Sequence, residues 1–152
     1  MTSWTEADFE RLCWHDCRVH GFFLVERPYG CADIILDLDF ISAWEESEDR
    51  SLRFRVAAAT LVFHDAFGLV LRLDYATPGA GMVPFSIEGI HREPIAADAQ
   101  PPRFRYAIPI NWPDGSITFE GYRFTQTLRA EPMTTSSRLL EPHQRPALFG
   151  KG

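Results

Sequence analysis

Apolar and polar residues alternate along most of this chain with the period of two that extended strands require. From Cys31 to Phe40, Ile34, Leu36, Leu38 and Phe40 share one face, while Asp33, Ile35, Asp37 and Asp39 share the other. Arg18 to Glu26 is rich in aromatic and β-branched residues and stops at Arg27-Pro28-Tyr29-Gly30, so the two segments predict a hairpin. Ser51 to Asp65 opens with Leu52, Phe54 and Val56 inward, loses phase at Ala57-Ala58-Ala59, and predicts a strand with a bulge. Gly68 to Tyr75, Phe85 to Glu93 and Arg103 to Asn111 predict three more strands. Trp112-Pro113-Asp114-Gly115 then predicts a hairpin turn before a last strand, Ser116 to Arg129, with a bulge at Gly121. Ser3 or Thr5 ahead of Glu6 to Leu12 predicts one short capped helix.

These elements predict a mainly β domain over residues 1–131. About seven antiparallel strands would form a sandwich or a strongly curved sheet, with one short N-terminal helix. Residues 132–152 contain Pro132, Pro142 and Pro146 and no sustained period, which predicts an irregular C-terminal tail with a turn around Ser137 to Leu140.

Composition narrows the function classes. The formal charge is −6, which repels phosphate backbones and anionic lipid surfaces, so neither nucleic acid nor membrane is expected as a partner. Fourteen of the fifteen basic residues are arginine, and they are spread along the strands rather than clustered. Cys13, Cys17 and Cys31 are odd in number, and the N-terminus has neither a basic start nor an apolar run. Free thiols and a cytoplasmic location are therefore expected.

Candidate chemistry is sparse. Trp14-His15-Asp16-Cys17-Arg18-Val19-His20 is the densest group of reactive side chains, at the predicted helix-to-strand corner. With His64 and Asp65 it makes a candidate patch of Trp14, His15, Asp16, His20, His64 and Asp65 that could hold a metal or a small molecule, or support hydrolysis. The simpler reading has His15 or Asp16 capping backbone amides and Trp14 plugging the core. Cys17 beside His15 or His20 could act as a nucleophile, but a buried inert thiol explains it as well. Asp37 and Asp39 could bind a cation. A ladder of charges with Arg53, Arg55, Arg72 and Asp74 on a solvated face accounts for them more simply. His91-Arg92-Glu93 reads as a solvated strand edge. No residue is expected to be catalytic, and no metal or cofactor is expected.

The segments Trp14–Phe22 (WHDCRVHGF), Leu36–Trp44 (LDLDFISAW), Ala58–Asp65 (AATLVFHD), Ile87–Glu93 (IEGIHRE) and Gly121–Pro132 (GYRFTQTLRAEP) together resemble a family of small uncharacterised bacterial proteins. The resemblance covers nearly the whole chain up to Pro132 and implies no functional residue. The Trp14-His15-Asp16 opening of a small acidic β protein is also similar to immunity proteins that neutralise polymorphic toxins. The leading expectation is a non-enzymatic interaction module for a protein partner, with Trp44, Tyr75 and Trp112 as exposed anchors. The alternatives are a small-molecule or metal-binding protein or hydrolase at the Trp14–His20 corner, and a domain that pairs with a second copy of itself.

Overall fold

A computed structural model describes residues 2–96 and 98–149. Ten strands form one sheet with antiparallel pairing throughout: β1 (Ser3–Thr5), β2 (Arg18–Arg27), β3 (Cys31–Glu46), β4 (Leu52–Asp74), β5 (Phe85–Ile87), β6 (His91–Ala96), β7 (Arg103–Trp112), β8 (Asp114–Gly121), β9 (Phe124–Leu128) and β10 (Met133–Thr135). The mainly β class is as predicted, in its strongly curved form. The sheet bends until six strands close a circuit: β3 pairs β2 and β4, β4 pairs β8, β8 pairs β7, and β5 bridges β7 to β2.

Strand boundaries depart from the expected seven. The two segments around Phe63 and Leu71 are one 23-residue strand, β4, bent where Asp65 (φ 52°) and Gly68 (φ 65°) enter the left-handed region. Its far edge is filled in turn by β10, β9 and β8. The last predicted strand is broken in two after Gly121, and Phe85–Glu93 is likewise split into β5 and β6. The predicted helix is a 3-10 turn over Glu6–Arg11, with the Thr5 amide donating to Asp8 Oδ2 (2.9 Å).

Trp112 to Gly115 makes the predicted hairpin connection between β7 and β8, although Asp114 and Gly115 are already paired in β8 and the turn itself falls at Pro113. Gly115 is required for a different reason. A Cβ there would lie 2.3 Å from the carbonyl oxygen of Arg72, so only glycine lets β8 approach β4 at that point.

The core lies inside the curve. Phe63, Tyr106, Phe119 and Phe124 are buried, and Phe63 packs edge-on against Tyr106 and Phe119 with ring centroids 5.0 and 4.7 Å away. Trp14 closes this core beside Phe9 and Phe124, and its indole N–H donates to the buried Gln126 Oε1 (2.7 Å). Among the described residues, no helix is long and apolar enough to cross a membrane.

Candidate functional site

The structure separates the predicted patch into three places. His15 and Asp16 sit at the corner before β2, where Asp16 has φ 62°. His15 Nδ1 donates to the Glu88 carbonyl (3.1 Å), and Asp16 Oδ1 accepts from Asn111 Nδ2 (2.8 Å). These are side-chain and carbonyl contacts rather than the predicted amide caps. Trp14 lies behind them in the core. The register of β2 and β3 shifts between Val19 and Gly21, a bulge that aims His20 onto Asp39.

His64 and Asp65 lie elsewhere, at the level of Asp33. That residue is six positions from Asp39 along β3, about 20 Å at the rise of an extended strand. The patch therefore does not converge. Among the described residues, no group of three or more His, Cys, Asp or Glu side chains is placed to hold a metal ion.

His64 Nε2 is 3.0 Å from Thr125 Oγ1, and its Nδ1 is 4.0 Å from Asp33 Oδ2. The chemical order is that of a hydroxyl, a base and an orienting acid, but the acid stands beyond hydrogen-bond reach of the ring. Asp33 Oδ1 instead accepts the Asp65 amide (3.0 Å), which holds the bend of β4. Burial lowers the His64 pKa, and the ring ties β4 to β9 through Thr125. Cys17 is buried, and burial pushes its thiol up to about 12, which makes it inert as a nucleophile. His91 and Glu93 are exposed on β6, an end strand of the sheet, as expected, but the Arg92 guanidinium turns in between Phe9 and Phe104, 4.2 Å from each ring centroid.

Asp37 and Asp39 also depart from expectation. Register sets Arg53 opposite Glu45 and Arg55 opposite Ala43, too far along β3 to meet either aspartate, and Arg72 pairs Asp114 (2.8 Å). The partners come from Arg129, directly after β9, and from the tail. Arg129 Nη2 donates to Asp37 Oδ1 (2.7 Å), and Arg145 reaches both aspartates. The fully buried Asp39 accepts from His20 Nε2 (2.7 Å) and from the Leu140 amide (3.0 Å). Two carboxylates, two guanidiniums and one imidazole thus clamp the tail onto the outer face of β2 and β3.

Burial, reinforced by Arg145 and opposed by Asp37, pushes the His20 imidazole down to about 4. The unfolded chain takes up a proton as pH falls through the ordinary value of 6.5, whereas folded His20 resists until about 4. The contribution of His20 to stability should be flat above about pH 7 and decline by up to about 3 kcal/mol between roughly pH 6.5 and 4. Urea unfolding across that range should show the decline. His20→Gln should flatten this part of the profile; an unchanged slope would assign it to other groups.

The remaining feature is the open edge of β2. β5 covers only Arg18 and Val19, so from Gly21 to Arg27 the strand has β3 on one side and no strand on the other among the described residues. Phe23, Leu24 and Val25 are exposed there, with Leu24 56% accessible. Phe149 meets Phe23 on the tail face at 5.3 Å between centroids. Sequence reasoning placed the strand but not its edge. The signal present was the unbroken run Phe22-Phe23-Leu24-Val25, apolar on both faces where an outer face would carry polar residues. Of the expected anchors, Trp44 and Trp112 are exposed, whereas Tyr75 donates its hydroxyl to the Val83 carbonyl (2.6 Å).

No protein-family model matches the chain, and neither a curated protein nor a solved structure matches it.

Proposed function

We propose that this protein is an interaction module that docks an extended segment of another protein along the open edge of β2. The observation that supports this reading is the edge from Gly21 to Arg27, unpaired among the described residues and flanked by exposed Phe23, Leu24 and Val25. An uncovered, apolar strand edge is a template for a further strand. Main-chain hydrogen bonds supply affinity and alternate side chains supply specificity. A net charge of −6 favours a basic partner over a second copy, because two copies repel and a basic chain is steered inward. Neutralisation of a basic toxin is the sharpest form of this reading, in keeping with the immunity-protein resemblance.

The test is a display selection of extended basic peptides on the whole chain, followed by titration against a Leu24→Lys/Val25→Lys variant. Lysines on the edge oppose strand addition without emptying the core. Binding should fall by about tenfold or more in the variant, as for apolar anchors at an interface centre, with the wild type sedimenting as a monomer. Peptides that bind the variant equally well would overturn the assignment. So would a wild-type dimer that the variant dissolves, which would mean self-pairing.

A further inference from the structure

Arg18 is the one charged residue of the Trp14–His20 corner that sequence reasoning left without a role, and its surroundings are unusual. It is half-buried, yet no carboxylate of the described residues lies within ion-pairing distance. Among the described residues, its only side-chain hydrogen bond is a long one from Nη1 to the Pro84 carbonyl (3.5 Å), and its Nε is buried without a partner. A guanidinium drawn partly out of water with no counter-charge is costly, and an anion would relieve that cost.

The side chain borders a groove of about 490 Å³ between the start of β4 and the tail. Across it stands Arg138, stacked over Trp44 (5.0 Å) and Phe54 (5.3 Å), with one weak contact to Asp16 at 3.7 Å. The stacking fixes the plane of this second guanidinium in advance. Ser136 and Ser137 complete the polar wall. Ser137 Oγ accepts from the Leu139 amide, which leaves its own hydroxyl proton free to donate. Leu52 and Phe54 line the other side with apolar surface. In a chain of net charge −6, this groove thus joins two guanidiniums and two hydroxyls to an apolar wall.

We propose that the groove binds a phosphomonoester whose phosphate lies between Arg18 and Arg138 and whose apolar body rests on Leu52 and Phe54. Two positive charges favour a dianion over a carboxylate, and the planar forks of arginine match phosphate oxygens in pairs. The site is distinct from the β2 edge and stands independently of the proposed docking there.

Calorimetric titration of the full chain with phenyl phosphate, inorganic phosphate and benzoate tests this. Phenyl phosphate should bind with saturation and weaken as salt rises. Inorganic phosphate should bind more weakly for want of the apolar contact, and benzoate most weakly. Arg18→Gln and Arg138→Gln should each weaken phenyl phosphate by about tenfold or more, the loss expected for a charge-assisted contact. Arg138 sits on the surface of the tail, so its variant keeps the test open even if Arg18→Gln fails to fold. Leu24→Lys/Val25→Lys should leave this binding unchanged. Absence of saturation with phenyl phosphate, equal binding by Arg138→Gln, or benzoate binding as tightly as phenyl phosphate would overturn the proposal.

Discussion

Replacing Asp39 by alanine is expected to cost about 3–5 kcal/mol, the range for breaking a buried ion pair from one side. The carboxylate is fully buried and faces Arg145, His20 and the Leu140 amide at once. Its removal leaves the Arg145 guanidinium, itself only 9% exposed, with Asp37 as its one remaining carboxylate. In a chain of this length that loss lowers the thermal midpoint by roughly 10 °C or more. The fold has a second readout, because Leu140 and Arg145 both belong to the tail. Limited proteolysis should cut the variant between Glu131 and Pro146 much faster than the wild type, while the body of the sheet persists. A variant with an unchanged midpoint and an intact tail would show that the clamp contributes little to holding the tail.

Phe63→Ala is expected to be as damaging, by about 3–5 kcal/mol, for a different reason. Phe63 stands where β4 pairs with both β3 and β9, opposite Ile34 and Phe124. Its ring meets Tyr106, Phe119 and Phe124, so truncation empties the centre of the closed circuit of strands. The surrounding backbone is paired on both edges of β4 and cannot collapse into the space. Chemical denaturation should show a lower midpoint with little change in slope. A double-mutant cycle with Phe119→Leu should recover about 0.5–1.5 kcal/mol of coupling between the two rings. A loss below about 1 kcal/mol would mean that the core repacks around the gap.

The contrast between these two substitutions marks where local sequence stops being informative. Phe63 lies in the apolar run Leu61-Val62-Phe63 that resumes after the phase is lost, and a run of that kind in a strand is legible as core. Asp39 lies opposite the apolar row of β3, where period two predicts solvent. That face is buried because residues about a hundred positions later return to cover it, and nothing in the local pattern around Asp39 announces Leu140 or Arg145. The predicted patch is dispersed for the same reason. Its residues are close in sequence or similar in chemistry, but register along β3 and β4 sets His64 about 20 Å from His20.

What the sequence by itself determined is the class of structure: alternation made strands, and Arg27–Gly30 made the first hairpin turn. What only the tertiary structure decided is which edges and faces remain open. The merging of two predicted strands into β4, the closure through β5, the bare edge of β2 and the groove between Arg18 and Arg138 all depend on pairings between distant segments. Backbone hydrogen bonds do not read side-chain identity, so one alternating pattern is compatible with many strand orders. The choice among them is made by packing in three dimensions, and the exposed surfaces that carry the proposed functions follow from that choice.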